Sequence, residues 1–330
     1  MTGVLVSGGG AIGGGVACLL QVLLLALGSP LLIGLMRTVR ARIEGRVGGG
    51  PLQPWRDLVK LLRKEPVSAA GTSWVFTAAP VVLLATSLVI AAVVPYLSTR
   101  TVLPGANDLF AVVAVLLLGT VALTLAGLDT GTAFGGMGAS REITIAALVE
   151  PTVLLSVFAL SVPAGSSNLA VIITHRLGSP DTLAAPTSLL ALVALVVVTI
   201  AETGRLPVDN PATHLELTMI HEALVLEYSG RDLALVEWGS WMRLSVLLGL
   251  VANLFAPWGI AGPGSGAPGL LLAVLALVLK VGLLGGLLGA AEVFLAKIRL
   301  FRVPELLAGS LVLAFLAVSS AYFLLPAGSR

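Results

Sequence analysis

LFAVVAVLLLGTVALTLAGL, residues 109–128, is a run of twenty positions without one charged side chain. At about 1.5 Å of rise per residue, a helix of this length reaches about 30 Å, the hydrocarbon thickness of a bilayer. A barrel strand would be about half as long and would alternate polar with apolar positions. The run therefore reads as a membrane-spanning helix. Seven more stretches to either side have the same character, giving spans near 14–36, 74–97, 108–128, 142–163, 184–202, 240–257, 269–295 and 305–325. Composition agrees, since 57% of the 330 residues are hydrophobic and 11% charged, where a soluble domain carries about a quarter charged. The expected fold is an all-α integral membrane protein, one membrane domain over 1–330 with eight transmembrane helices.

Lysine and arginine collect on the cytoplasmic side of membrane proteins. With both termini outside, the loops 37–73, 129–141, 203–243 and 296–304 face inward and hold 15 of the 19 basic residues. Outside fall only Arg100, Arg176 and Arg330, and Lys280 lies within a span. The expectation is N-out and C-out, with docking loops 37–73 and 203–239 in the cytoplasm. A net charge of +2 supplies no basic field for nucleic acid. One cysteine, Cys18, forms no disulfide within the chain and no cluster motif. The glycine-rich start lacks the GK[ST] of a phosphate loop. No internal repeat is visible, which disfavours a free-standing secondary transporter.

The first inward loop carries an amphipathic pattern. In PLQPWRDLVKLLRKEPV (51–67), apolar Leu52, Trp55, Leu58, Val59, Leu61 and Leu62 recur at helical spacing, opposite Arg56, Lys60, Arg63 and Lys64. That pattern suits a helix lying in the interface, its basic face turned to headgroups or a partner.

Seven of the 17 acidic residues lie between 202 and 237: Glu202, Asp209, Glu216, Glu222, Glu227, Asp232 and Glu237. Prolines 207 and 211 bracket Asp209 in LPVDNP, which imposes a bent, non-helical backbone. Beyond Pro211, ATHLELTMIHEALVLEY (212–228) reads as a helix too apolar for a free loop, with Glu216 and Glu227 on one face and His214 and His221 on another. Carboxylates held against apolar surroundings titrate nearer neutrality and carry protons. With Arg205 among them, the segment suits a relay more than hydrolysis. His214, His221 and Glu222 lack the HExxH spacing, and no metal is expected. Glu150 (before Pro151) and Lys280 fall near the bilayer midplane, where charges are expensive and functional or paired. A Glu150–Lys280 contact is the natural expectation, with Glu142 nearer the inside end.

The segment ETGRLPVDNPATHLELTMIHEALVLEYSGRDLAL (202–235) resembles the signature loop of the membrane subunit of group 4 membrane-bound [NiFe] hydrogenases and formate hydrogenlyase. That family is similar in turn to the NADH dehydrogenase subunit 1 family of respiratory complex I. GPLQPWRDLVKLLRKEPV (50–67) and GLDTGTAFGGMGASREITIAALVEP (127–151) support the resemblance, which covers nearly the whole chain. Against the complex I pattern ETNRAPFDLPE…ESELV…EYS, this chain matches at Glu202, Arg205, Pro207, Asp209, Pro211, Glu216, Glu227, Tyr228 and Ser229. It departs at Gly204 and Asn210 and has about one extra helical turn before Glu227. The resemblance implies a non-catalytic anchor and coupling subunit of an oxidoreductase complex in the cell membrane. Its partners would be the iron–sulfur and large hydrogenase subunits, docked through Trp55, Arg56, Lys60, Arg63, Lys64 and Arg231, and antiporter-like membrane subunits. Iron–sulfur clusters and the Ni–Fe centre would sit in those partners, with no cofactor bound here. Glu202, Asp209, Glu216 and Glu227 would form a proton-path entrance, continued by Glu142, Glu150 and Lys280 and structured by Arg205, Pro207, Pro211, His214, His221 and Glu222. The alternative the resemblance leaves open is a quinone-site subunit of NADH–quinone oxidoreductase.

Overall fold

The computed structural model describes residues 8–69, 71–101, 105–209, 219–262, 265–296, 298 and 302–324. Among them the chain is helical, and its only bridge pairings are the isolated Ser98–Ala261 and Asp108–Asn168. In order come α1 (Gly8–Ile43), α2 (Gln53–Leu62), α3 (Trp74–Val93), α4 (Leu109–Asp129), α5 (Ala133–Ala164) and α6 (Leu169–Gly178). A 3₁₀ turn at Pro180–Leu183 leads to α7 (Pro186–Glu202), α8 (His221–Val225), α9 (Gly230–Phe255), α10 (Gly266–Phe294) and α11 (Val303–Leu324). Seven of these are long and apolar enough to cross a membrane. The 17-residue α7 is apolar but shorter.

Short polar side chains start the helices. Ser73, Asp108, Thr132 and Asn168 accept the N–H of Val75, Phe110, Gly135 and Ala170 at 2.8–3.2 Å, satisfying donors that have no partner within the helix. α9 is the hub, with Met242, Leu244, Val246 and Leu247 almost fully buried. It packs against α1, α3, α7 and α10, while α5 binds α4, α7 and α11. On α10, Leu271, Leu275, Leu279, Leu283 and Leu287 form an exposed stripe, a surface that lipid covers and water would not tolerate. The opposite face of α10 is small. A Cβ on Gly289 would stand 2.9 Å from the Met36 carbonyl oxygen, so α1 and α10 meet backbone to backbone.

The connections sort to two ends. At one end Ser73 N–H donates to Asp129 (2.7 Å), Arg141 to the Met219 carbonyl (2.8 Å), Ile298 N–H to the Pro207 carbonyl (3.0 Å), and Val67 exchanges bonds with Ser229. These are the loops expected to face inward. At the other end Thr99 and Leu97 pair with Ala261, Leu169 with Asn107, and Thr187 with Ser320.

Several boundaries differ from the sequence expectation. α3 stops at Val93, four residues before the apolar run does. The irregular segment after it is buried, and two side chains far away in sequence complete its bonds. Gln21 donates to the carbonyls of Ala91 (2.9 Å) and Val94 (3.1 Å), and Asn253 to those of Pro95 (3.2 Å) and Tyr96 (3.0 Å). α5 begins at Ala133, not 142, because Thr132 caps it and its glycines seat against neighbours, Gly138 against Ala223 and Gly135 against the Gly127 carbonyl. α9 begins at Gly230, ten residues before the expected span, and α6 occupies a stretch expected to be loop. The expected continuous helix over 212–228 is broken. Of its described residues, 219–228, only α8 is helical, and Asp209 accepts the N–H groups of Ile220 and His221 at its start. Residues 210–218, with Pro211, His214 and Glu216, lie outside the described residues.

Candidate functional site: a buried charge network and an inner-end cavity

Deep in the bundle, Arg243 of α9 (8% exposed) joins three helices. Its Nη2 pairs tightly with Glu202 at the end of α7 and stands 3.8 Å from Glu150 of α5. It also donates to the Thr120 hydroxyl (2.6 Å) and the Leu116 carbonyl (2.9 Å) of α4. Thr120 in turn reaches Glu202 at 3.4 Å. One nitrogen of the guanidinium thus stands between two carboxylates, while Nε is buried without a hydrogen-bond partner among the described residues. Gly119 makes room, as a Cβ there would lie 2.8 Å from the Thr86 hydroxyl and 3.6 Å from Arg243 Nη1. Glu150 is buried, and neither of its oxygens has a hydrogen-bond partner among the described residues. Glu142, two turns earlier on α5, stands within electrostatic reach of Glu202, Arg243 and Asp209.

Glu202 connects this group to a second one. Gly204, at φ +58°, ends α7 in a left-handed turn. Val208 and Asp209 then donate their N–H groups to the Arg205 carbonyl at 2.9 and 3.1 Å. This tight loop buries Asp209, which accepts the N–H groups of Ile220 (3.1 Å) and His221 (3.2 Å). Arg205 turns the other way, to Glu292 of α10 at 3.5 Å, and Arg40 of α1 stands 3.9 Å from the same carboxylate. Arg37 lies over the Trp241 ring, 5.9 Å from its centre. These residues enclose a cavity of 420 Å³, lined by Arg37, Arg205, Asp209, His221, Glu222, Glu237 and Glu292 among others.

His221 contacts the Ser240 hydroxyl at 3.3 Å. Burial holds its imidazole below the ordinary value of 6.5, while Asp209 pulls it up and Arg243 and Arg205 push it down. Burial likewise lowers Arg205, with Glu292 opposing. His221 is therefore neutral in the folded protein at neutral pH. Below about pH 6.5 the unfolded chain takes a proton that the folded chain refuses, so stability falls with pH there. The expected outcome is a melting temperature that declines below about pH 6.5 and declines less in His221→Gln; equal slopes would contradict the burial of a neutral imidazole.

Not every expected residue joins these groups. Lys280 does not meet Glu150. α10 packs on α1 and α9, away from α5, and the Lys280 amine bonds the Trp258 carbonyl while Glu150 faces Arg243. Glu227 follows α8, partly buried, outside the ion-pair network, and Tyr228 beside it stacks on Phe76 and donates to that residue's carbonyl (2.8 Å). Arg56 and Lys60 of α2, with Arg63 and Lys64 just after it, are exposed, while Trp55 bonds the Leu27 carbonyl (3.2 Å) and meets Trp238 edge-on at 6.3 Å. Arg231 is exposed nearby, because Gly230 abuts the Lys64–Glu65 backbone. The basic residues thus share one end of the bundle with the cavity. Among the described residues no three of His, Cys, Asp and Glu gather as a metal site. Sequence reading gives Arg243 and Thr120 no site role, counts Glu237 only in the acidic cluster, and notes Glu292 only as a charge near the inside end of its span. Arg243 is counted above with the inward loop 203–243, yet it also falls inside the expected span 240–257, and that overlap is the signal for it.

The chain is similar to known proteins in sequence and in fold. The family profile described as NADH dehydrogenase matches residues 16–322. Formate hydrogenlyase subunit 4 of Escherichia coli is 34% identical over 304 residues, 92% of this chain and 97% of that protein. Hydrogenase-4 component C of the same organism is 36% identical, over 86% of this chain and 89% of that one. NADH-ubiquinone oxidoreductase chain 1 of Triticum aestivum is 30% identical over 73% and 74%. Among solved structures, a chain of the archaeal membrane-bound sulfane sulfur reductase superimposes with a TM-score of 0.79 over 94% of this chain and 99% of that one, at 19% identity, so the two share a fold.

Proposed function

This chain belongs to the NADH dehydrogenase family, in its subunit 1-like form, and on that premise we propose that it is the membrane-anchor and proton-coupling subunit of a hydrogenase or formate hydrogenlyase complex. The observation that carries this reading is the Glu150–Arg243–Glu202 group lying next to a charged cavity at the bundle's basic end. Protons enter at the cavity, which Asp209, Glu222 and Glu237 line, and pass inward by way of Glu202 to Glu142 and Glu150. The soluble arm docks over the same end, so electron transfer in the partners and carboxylate charge here are read by one set of residues. In this reading α7 is the eighth span, the basic end is cytoplasmic, both termini are outside, and the membrane is the cell membrane. Iron–sulfur clusters and the Ni–Fe centre belong to the small and large partner subunits. Antiporter-like subunits take up the coupled protons within the bilayer.

Docking is tested by reversing charge on α2. Arg56, Lys60, Arg63 and Lys64 are exposed, so their replacement by glutamate leaves the bundle intact. The soluble hydrogenase subunits are then expected to co-purify with the membrane arm at least tenfold less. Undiminished recovery of those subunits would remove α2 from the interface.

One observation favours a second reading. A separate apolar cavity of 390 Å³ lies between α1 and α10, lined by Leu24, Leu32, Leu35, Val278 and Val281, a wall suited to an isoprenoid tail. Quinone-dependent electron transfer by the purified complex would select a quinone-site subunit instead.

A further inference from the structure

Three polar residues follow one another at single-turn spacing along α9. Glu237 and Ser240 line the charged cavity, and Arg243 holds Glu202 in the buried group. At about 1.5 Å of rise per residue, each stands about 4.5 Å deeper than the one before, and residues three apart are neighbours on a helix surface. His221 meets the middle one, its Nε2 lying 3.3 Å from the Ser240 hydroxyl. It also rests on the end of α7, where a Cβ on Gly204, two residues past Glu202, would stand 3.4 Å from the His221 Cβ. Asp209 accepts the backbone N–H of His221 (3.2 Å) and so fixes the start of α8 that carries the ring. His221 is partly exposed and lines the cavity. One imidazole thus touches the cavity, the end of the helix that bears Glu202, and the α9 residue one turn short of Arg243.

The ring's chemistry fits that place. A neutral imidazole takes a proton on one nitrogen and gives one up from the other. Burial keeps this ring neutral, and after burial the groups that act on its charge are Asp209, Arg243 and Arg205, drawn from both the cavity and the buried group. We propose that His221, working through the Ser240 hydroxyl, relays protons between the cavity and Glu202. In each passage a proton from the cavity forms an N–H bond at Nδ1, the Nε2 proton passes to the Ser240 oxygen, and the serine's own proton moves on to the Glu202 carboxylate. No electrons change hands, and the ring and the hydroxyl end with as many protons as they began. The relay rests on the proton-coupling reading and supplies its step from the cavity to the buried carboxylates.

The test is proton movement by the complex reconstituted in liposomes, with variants of His221 and Ser240 measured beside Glu202→Gln. His221→Gln keeps a side chain that can bond Ser240 but cannot take up and release a proton, so protons moved per electron pair should fall at least tenfold. His221→Ala should fall as far and recover in part when imidazole is added to the medium, a response that a lost brace would not give. Ser240→Ala should lose about threefold, and Ser240→Thr, which keeps the hydroxyl, should restore most of that. The serine pair decides the matter if the histidine variants fail to assemble. Full proton movement in H221Q or in S240A, beside an impaired E202Q, would overturn the relay and leave the carboxylate path standing. Full movement in E202Q as well would overturn both. A loss in H221A that imidazole does not restore would make His221 a brace on α8 and overturn the relay.

Discussion

Replacing Arg243 with glutamine is expected to be the most damaging single change in the chain. The substitution leaves Glu202 and Glu150 buried beside each other with no cation between them, and it removes the donors to Thr120 and Leu116. Removing one partner of a buried ion pair costs about 3–5 kcal/mol, because the remaining charge stays desolvated. R243Q should therefore lower the melting temperature of the solubilised complex and abolish its proton-coupled activity. Two further variants separate charge from packing. R243K keeps the cation on a shorter side chain with fewer donors, and should recover part of the stability. The double variant E202Q/R243Q removes one carboxylate along with the arginine and should be more stable than R243Q alone. If the double variant is no better than the single one, the damage came from lost packing and not from unpaired charge.

Asp209→Ala is expected to have the second largest effect, by another route. Asp209 is 2% exposed and holds two backbone N–H groups, those of Ile220 and His221. Without its oxygens both donors are left buried and unmet, at about 1–3 kcal/mol each. α8 then loses its start, and the cavity wall that carries His221 and Glu222 loosens. Asp209→Asn keeps an acceptor oxygen and removes only the charge. Asparagine should therefore retain assembly while alanine should not, as read by protease accessibility of the segment and recovery of the complex. If Asp209 also relays protons, D209N will assemble and still lose coupling. Full coupling in D209N would confine Asp209 to the role of a cap.

Much of the architecture is legible in the amino-acid sequence. Long uncharged runs declare a helical membrane protein, and the arginine-rich loops show which ends gather. The α2 pattern is legible for the same reason: its apolar and basic positions separate cleanly at helical spacing. Less visible is where a helix ends against the apolar pattern. The apolar run at 94–97 is not helical, and only the distant partners Gln21 and Asn253 explain how its backbone survives burial. The glycine-rich start of α5 lacks apolar signal because it packs on close backbone contacts. Within the site, Glu202, Asp209, Arg205 and Glu150 are legible from charge amid apolar surroundings. Their pairing is not, since nothing local in the sequence relates Glu150 to Arg243, 93 positions away. The expected partner of Lys280 is wrong for the same reason: depth along a helix says nothing about which way the helix faces.

Carboxylates that carry protons differ from carboxylates that only brace the bundle in one measurable respect, proton movement by the complex reconstituted in liposomes. The decisive comparison is Glu202→Gln against wild type. Glutamine keeps the side chain's size and an oxygen for Arg243, so assembly and attachment of the soluble subunits should persist. At least a tenfold fall in protons moved per electron pair is expected, partly restored by Glu202→Asp. Unchanged proton movement in E202Q would refute proton carriage and leave the network a structural brace.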